Sequence, residues 1–377
     1  MYTTLSWNEA GKSCIAHWRS ESGMAPPKRV VVADDTMKAD DAYRLACEGT
    51  AMLWHGDFQN AKLLLQAMSR RGERKTRKGR KIAELPGEAF HLHRQAQSQR
   101  ARTLAMILIP LDSDYTVPLR RAPDLRLACT EAYGAAGEPS VASLRELLGM
   151  VGAHEWRKKG VEVSEIGARI HPHYGVFSPL RGEYLELVNQ APLPSTELAF
   201  DIGTGTGVLA ALLARRGVKR IVATDLDPRA LTCARENLTG LGLDTQVDVV
   251  EADLFPDGCA PLIVCNPPWI PARPSSPIER AIFDPDCSML RGFVTGLAGH
   301  LSPQGEGWLI LSDIAEHLGL RTREALLEMF ETSGLQVVER MDIIPHHSKV
   351  SDESAPLHAA RAAEITSLWR LSARSNG

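Results

Sequence analysis

A regular alternation of short apolar strands and helical stretches runs through the C-terminal half of this chain and limits its possible folds. The first three strand patterns are "ELAFDIG" (197–203), "RIVATDLD" (220–227) and "QVDVVEADL" (246–254). Parallel strands need crossover helices, whereas antiparallel strands can be joined by tight turns. Four further strand patterns follow, at 261–266, 307–313, 335–343 and 364–371. The sequence therefore predicts an α/β fold with a doubly wound, Rossmann-like, mostly parallel seven-stranded sheet.

Residues 1–160 do not show this alternation and predict a separate, helix-rich mixed domain. Helical patterns cover 40–71 and 140–156, and "VVVAD" and "LAMILIPL" read as strands. A chain of 377 residues is long enough for two or three domains of ordinary size. We therefore expect a second domain over 161–377, which begins with a hairpin and a helix within 160–188.

Composition excludes several classes of protein. The net charge is −3 and 44% of the residues are hydrophobic, which is ordinary for a globular protein. The seven cysteines form no CxxC pair, which argues against a zinc ribbon, a redox dithiol or a disulfide framework. The N-terminus lacks a signal-peptide pattern, and the apolar run "LAMILI" is too short to span a bilayer. We expect a cytoplasmic protein without a membrane segment.

The glycine-rich stretch "DIGTGTG" lies between the first predicted strand and its helix. Gly203, Gly205 and Gly207 would let a ligand approach the backbone closely, beside the positive end of the helix. With Ala210, the last two glycines also satisfy GxGxxA, a dinucleotide-binding fingerprint. Asp225 ends the second strand, where a carboxylate can accept hydrogen bonds from ribose hydroxyls. Both NAD and other nucleosides fit this pattern.

Two further carboxylates favour a cationic nucleoside over NAD. Asp201 precedes the first glycine, where it would repel a diphosphate but attract the sulfonium and amino groups of S-adenosylmethionine. Asp253 lies at the end of the third strand, where it can accept a hydrogen from the adenine amino group.

These residues resemble the motif series of class I S-adenosylmethionine-dependent methyltransferases. The resemblance covers about 165–377 and includes Asp201 to Gly207, Asp225, Asp253-Leu254 and Asn266 to Trp269 in this order. It implies S-adenosylmethionine as the cofactor. The cofactor-binding residues that it implies are Asp201, Gly203, Thr204, Gly205, Gly207, Asp225, Asp253, Leu254 and Asn266.

The stretch "PLIVCNPPWIP" (261–271) places a rigid turn at the end of the fourth strand. In the same family an Asn-Pro-Pro-aromatic turn marks enzymes that methylate planar nitrogens, so Asn266, Pro267, Pro268 and Trp269 are the predicted catalytic residues. The Asn266 side-chain oxygen and the Pro267 carbonyl could each accept one hydrogen of an NH₂ group. Trp269, where tyrosine or phenylalanine is commonest, would offer a flat face for stacking. A "small-domain" N-methyltransferase is the resulting prediction.

The substrate is less constrained than the chemistry. The run "RRGERKTRKGRK" (Arg70 to Lys81) holds eight basic residues against one glutamate, which fits a phosphate-binding segment or a solvated surface. It favours an exocyclic base amine of RNA, reached through an N-terminal substrate-recognition domain. A protein glutamine amide, a small molecule and a non-catalytic cofactor- or RNA-binding module stay open.

The histidine pairs predict no metal site. His91/His93, His171/His173 and His346-His347 lack cysteine or carboxylate partners at ligand spacing.

Overall fold

The structure is a computed structural model that describes residues 3–78, 85–179, 182–274, 277–345 and 357–374, without the side chains of 74–78 and 277–278. Contacts divide the chain into two compact units. Unit 1 comprises Met1–Glu84 and His91–Glu155, and unit 2 comprises Leu85–Phe90 and Trp156–Gly377. The boundary thus lies a few residues before the expected position at 160/161. Leu85–Phe90 belongs to unit 2 although it is far from the rest of that unit in sequence.

Unit 1 combines six strands with long helices. Its elements in chain order are β1 (Thr4–Glu9), β2 (Lys12–Arg19), β3 (Arg29–Ala33), α1 (Ala39–Cys47), β4 (Thr50–Trp54), α2 (Phe58–Lys78), α3 (Pro86–Leu104), β5 (Ile107–Leu111), α4 (Arg126–Tyr133), β6 (Ser140–Ser143) and α5 (Leu144–Lys159). The strands form one mixed sheet in the order β1-β2-β6-β5-β4-β3. The first residues of α3 and the last of α5 belong to unit 2.

Two segments of unit 1 that read as helical contain strands. Thr50–Trp54, within 40–71, is strand β4, and all five of its residues are buried. Ser140–Ser143, at the start of 140–156, is strand β6 and is also buried throughout. A strand buried on both faces lacks the alternation of polar and apolar residues that identifies a half-exposed strand, and four or five residues are too few to show a period of their own.

Unit 2 contains the alternating half of the chain. Its elements are β7 (Val161–Val163), β8 (Ala168–Ile170), α6 (Glu183–Gln190), β9 (Leu198–Ile202), α7 (Val208–Arg215), β10 (Arg220–Asp225), α8 (Pro228–Gly240), β11 (Val247–Glu251), β12 (Ala260–Cys265), α9 (Ser288–His300), β13 (Leu301–Ser312), α10 (Ile314–His317), α11 (Arg323–Thr332), β14 (Leu335–Ile343), α12 (His358–Ala362) and β15 (Thr366–Ala373), with short 3₁₀ turns at 164–166, 277–281 and 285–287.

Seven strands of unit 2 form one sheet in the order β11-β10-β9-β12-β13-β15-β14. The first five are parallel, and β15 runs antiparallel to both of its neighbours. Strand β7 and strand β8 form the separate hairpin expected within 160–188. The predicted doubly wound, mostly parallel seven-stranded sheet is confirmed.

Both faces of this sheet are covered. Along β12, Leu262 and Val264 lie in one apolar cluster, whereas Ile263 and Cys265 lie in the other. Successive side chains of a strand point to opposite faces, so this division places a core on each side of the sheet. Ligands can then reach the sheet only along its edges and strand ends. In the described residues, no helix has the length and apolar character needed to cross a membrane.

Candidate functional site

The register of four parallel strands brings the predicted site residues to one edge of the sheet. Ile202, the last residue of β9, pairs with Thr224 of β10 and with Cys265 of β12. Gly203, Asp225 and Asn266, each the next residue along its chain segment, therefore lie at the same level. Asp253 lies two residues beyond the end of β11. Carboxyl ends of parallel strands are where doubly wound folds bind ligands.

The glycine loop needs conformations that other residues rarely adopt. Gly203, Gly205 and Gly207 have φ angles of 71°, 55° and 80°. A Cβ on Gly203 would collide with the Met289 methyl carbon, whereas a Cβ on Gly205 would meet nothing within 4 Å. The loop thus keeps open space beside Gly205.

Asp201 is fully buried beneath this loop. One carboxylate oxygen accepts hydrogen bonds from the Thr204 hydroxyl (2.6 Å) and the Ala210 amide (3.1 Å). The other oxygen is buried without a hydrogen-bond partner among the described residues. Burial, assisted by the nearby Asp225 carboxylate, raises the pKa of Asp201 to about 6 against the hydrogen bonds that lower it. Such an orphaned oxygen would be stabilised by a cation or a hydrogen-bond donor.

Asp225 is held by the backbone at the end of β10. Its two carboxylate oxygens accept hydrogen bonds from the amides of Gly205 and Asp227, each at 3.0 Å. Burial raises its pKa, opposed by these hydrogen bonds. Each oxygen keeps a second lone pair, so the carboxylate can still accept from ligand hydroxyls.

Asp253 and Leu254 lie less deeply in the structure. Asp253 is exposed, and no described hydrogen bond fixes its carboxylate. Leu254 has a φ angle of 69°, and its carbonyl accepts a hydrogen bond from the Thr224 hydroxyl at 2.6 Å. The structure therefore ties the Leu254 backbone to β10 while leaving the Asp253 side chain in solvent.

The Asn-Pro-Pro-Trp turn contains a contact that was not expected from the sequence. The Trp269 indole N–H donates a hydrogen bond of 2.9 Å to the Asn266 side-chain oxygen. Trp269 is half-buried and packs against both cores and against a third cluster that includes Phe90 and Phe283. One of the two acceptor positions on the Asn266 oxygen is thus already used within the turn. The indole is also held more firmly than a free stacking platform would be.

The sequence motifs do not indicate Leu226, Met289 and Phe90, three residues that lie near these site residues. Leu226 is 56% exposed directly after Asp225 and offers an apolar surface beside a carboxylate. Met289 covers Gly203, and Phe90 packs with Phe283 near Trp269. An apolar residue after a strand-end acid could have indicated Leu226, but no sequence signal connects Phe90 to this unit.

The structure describes two of the three histidine pairs and the first residues of the basic run. His171 contacts the Arg157 carbonyl (2.6 Å) and His173 contacts Glu236 (2.8 Å), while His346-His347 lie outside the described residues. In the run Arg70 to Lys81, the side chains from Arg74 onward are not described. Arg70 is exposed and lines an open cavity of about 440 Å³ in unit 1, together with Arg145.

Comparison with known proteins agrees with this geometry. Residues 184–269 match the family "Ribosomal protein L11 methyltransferase (PrmA)". The release factor glutamine methyltransferase of Mycolicibacterium smegmatis is 38% identical over 31% of this chain and 44% of its own length. That of Cereibacter sphaeroides is 30% identical over 44% of this chain and 61% of its own length. The tRNA1(Val) (adenine(37)-N6)-methyltransferase of Aeromonas salmonicida is 38% identical over 22% of this chain and 38% of its own length.

Unit 2 is an S-adenosylmethionine-dependent methyltransferase domain. The family match lies within this unit and runs from α6 to Trp269. The chain spans less than two thirds of the length of these relatives, from 38% to 61%. The match thus identifies the domain and its cofactor, S-adenosylmethionine.

The residues of the methyltransferase domain fit this cofactor. The orphaned Asp201 oxygen suits a positive charge, and the two backbone-held oxygens of Asp225 suit ribose hydroxyls. The open space beside Gly205 lets a ligand approach the loop. Leu226 can cover one face of an adenine ring.

Proposed function

We propose that this protein methylates a planar nitrogen with S-adenosylmethionine as the methyl donor. The observation that carries the proposal is the Asn-Pro-Pro-Trp turn, which starts level with Gly203 and Asp225 at the carboxyl edge of the sheet. An amide or exocyclic amine nitrogen shares its lone pair with a π-system, so it is a weak nucleophile. A site that acts on it must orient this lone pair and stabilise the charge that develops on nitrogen.

The residues of the turn can supply both effects. Asn266 has one acceptor position left beside the indole bond and can take one N–H hydrogen, while the Pro267 carbonyl takes the other. The adjacent Pro268 restricts the backbone that carries both acceptors. The bound cofactor supplies an electrophilic methyl group. The methylated nitrogen becomes acidic and can lose its proton to water, so these residues need not include a strong base.

We further propose an exocyclic base amine of RNA as the acceptor, recognised with the help of the N-terminal unit. Supporting observations are the basic run Arg70 to Lys81 and the two arginines, Arg70 and Arg145, that line one cavity of unit 1. One relative carries the name of a tRNA adenine N6-methyltransferase. Such an enzyme would act in the cytoplasm.

A protein glutamine amide is the second candidate acceptor. Two of the relatives above carry the name of release factor glutamine methyltransferases. An amide NH₂ presents the same two hydrogens to the turn as a base amine, so the turn does not distinguish these substrates.

Methyl-labelled cofactor would separate the candidates. We expect the full-length protein to transfer label to an RNA pool faster than to peptide or metabolite pools, and to leave the label on a base nitrogen after nuclease digestion. Faster labelling of a glutamine-bearing protein would replace the RNA proposal with the glutamine one. Binding of the cofactor without transfer to any pool would favour a non-catalytic module.

Trp269 offers a more specific prediction because its indole N–H is bonded to the catalytic amide. Trp269→Phe keeps an aromatic ring but removes the donor, and a net hydrogen bond is worth about 1 kcal/mol. We expect kcat to fall about five- to tenfold with little change in KM, because the Asn266 amide loses its fixed orientation.

The same bond has a spectroscopic signature. In indole ¹H–¹⁵N spectra, the signal that disappears in Trp269→Phe should shift in Asn266→Ala, even without cofactor. An unshifted indole signal would show that the hydrogen bond does not exist in solution.

A further inference from the structure

Arg321 is a half-buried arginine at the carboxyl edge of the methyltransferase sheet. It follows α10, which begins just after β13, and its guanidinium donates to the carbonyl of Ser312, the last residue of that strand, at a long 3.4 Å. It also contacts the thiol of Cys287, the residue before α9. Its Nε atom is buried without a hydrogen-bond partner in the described structure.

The carboxylates around Arg321 are engaged elsewhere. Glu316 pairs with Arg323 at 2.9 Å, and Asp313 contacts both Arg323 (3.8 Å) and His317 (3.4 Å). In the part of the chain that is described, Arg321 forms no ion pair with a carboxylate. Burial lowers its pKa, against the smaller opposing effects of Cys287 and Glu316.

Two other interior arginines of the same domain are satisfied. Arg370 is held by the carboxylates of Glu306 (2.8 Å) and Glu339. Arg216 donates to the carbonyls of Val188 and Ala191. Arg321 has weaker partners in the described structure, a long contact to the Ser312 carbonyl and the Cys287 thiol, and a part-buried cation with such partners is costly. Arg321 is therefore a candidate for contact with an external anion.

The position of Arg321 connects it with the acceptor site. Ile314 and Leu318, in the segment just before it, share a cluster with Phe283, and Trp269 packs against this cluster. Its thiol partner, Cys287, lies two residues before Met289, whose methyl carbon lies close to Gly203. Neighbours of Arg321 in sequence therefore pack in the cluster beside the Asn-Pro-Pro-Trp turn, and its thiol partner is close in sequence to the side chain that meets Gly203.

We propose that Arg321 binds a phosphate of the acceptor, one that adjoins the nucleotide whose base nitrogen is methylated. A guanidinium offers planar paired donors that match two phosphate oxygens, and Nε, shielded and unpaired in the ligand-free protein, becomes one of these donors once the side chain turns towards the anion. This inference rests on the proposed function, since a neutral glutamine amide would leave Arg321 without an anion. The Asn-Pro-Pro-Trp turn recognises only the NH₂ group of the acceptor. A phosphate contact at Arg321 would add selectivity for an acceptor with a negative charge.

Two variants and one matched control test this proposal by binding of single-stranded RNA to the full-length protein without cofactor. Arg321→Gln should weaken binding about tenfold at low salt and reduce the slope of log K against log salt by about 0.7, the value for one phosphate of a single strand. Arg321→Lys should keep the slope but recover only part of the affinity, since an ammonium cannot bind in the bidentate manner. Arg220→Gln removes the same charge at the start of β10, the opposite edge of the sheet, from a side chain that is 68% exposed, and should change neither quantity.

Thermal unfolding distinguishes a binding role from a structural one. If Arg321 serves a ligand, the ligand-free Arg321→Gln protein should be at least as stable as the parent, because an uncompensated interior charge has been removed. A lower melting temperature together with an unchanged salt slope would overturn the proposal.

The outcomes also separate this proposal from the proposed function. If RNA is methylated but Arg321→Gln retains the parental slope, the phosphate contact is wrong and the function stands. If the slope changes but no RNA is methylated, the anion site stands and the RNA proposal fails. If Arg321→Gln lost affinity for an acidic glutamine-containing peptide but bound RNA like the parent, Arg321 would bind a carboxylate. The proposed phosphate contact would then be wrong.

Discussion

Asn266→Ala is expected to lower kcat by about two to three orders of magnitude, the usual loss when one transition-state hydrogen-bond partner is removed. The variant loses the oxygen that the Trp269 indole holds in place beside the cofactor loop. In the proposed mechanism this oxygen contacts the acceptor nitrogen and not the cofactor core, so the affinity for S-adenosylhomocysteine should change little. Single-turnover methyl transfer and calorimetric binding of the product cofactor would measure the two effects separately.

Asn266→Asp is the matched control for this experiment. It keeps an oxygen that can accept both the indole hydrogen and a substrate hydrogen, so it should retain more activity than the alanine variant. Parental turnover in Asn266→Ala would show that the acceptor is not oriented by this turn. A parallel loss of cofactor affinity would instead place Asn266 in the cofactor site alone.

Much of the methyltransferase domain could be predicted because local signals and the fold agree there. Asp227 precedes Pro228 in the sequence, and in the structure its side chain caps α8 by accepting from the Arg229 amide at 2.9 Å. The two prolines after Cys265 end β12 at the expected place, because proline cannot continue the strand ladder. Each of these signals depends only on neighbouring residues.

The failures concern features set by distant residues. The sequence around Thr50–Trp54 favours a helix because burial on both faces hides the strand periodicity. Phe90 joins the cluster beside Trp269 through tertiary packing that no short pattern encodes. The bond between Trp269 and Asn266 depends on a side-chain rotamer, so the sequence showed the two residues but not their pairing. Arg321 likewise becomes unusual only once the partners of Asp313 and Glu316 are known.

Asp201 should make the stability of the cofactor-free protein depend on pH in an unusual direction. Its pKa in the folded protein is raised to about 6 from an ordinary 3.8, mainly by burial. Between these values the folded state binds more protons than the unfolded state, so the free energy of unfolding falls as pH rises. Above pH 6 the ionised, buried carboxylate therefore costs about 2–3 kcal/mol relative to an exposed one.

Asp201→Asn removes this titration while preserving the local hydrogen bonds. An amide oxygen can still accept from the Thr204 hydroxyl and the Ala210 amide, as one carboxylate oxygen does now. We expect the variant to be more stable than the parent at pH 7, with the difference shrinking towards pH 4. Denaturant unfolding across this range, without cofactor, would measure it. Parallel stability curves for the two proteins would show that Asp201 titrates normally.

Cofactor binding should reverse the order of the two proteins. A cation beside the orphaned oxygen favours the ionised form of Asp201, so affinity for S-adenosylmethionine should rise as pH increases through about 6. Asp201→Asn should bind at least about tenfold more weakly at pH 7, in line with the loss of one charged contact, and with a flatter pH dependence. The carboxylate that destabilises the empty fold would then be the one that selects a cationic nucleoside. If the variant bound the cofactor as tightly as the parent at pH 7, the charge on Asp201 would have no part in that selection.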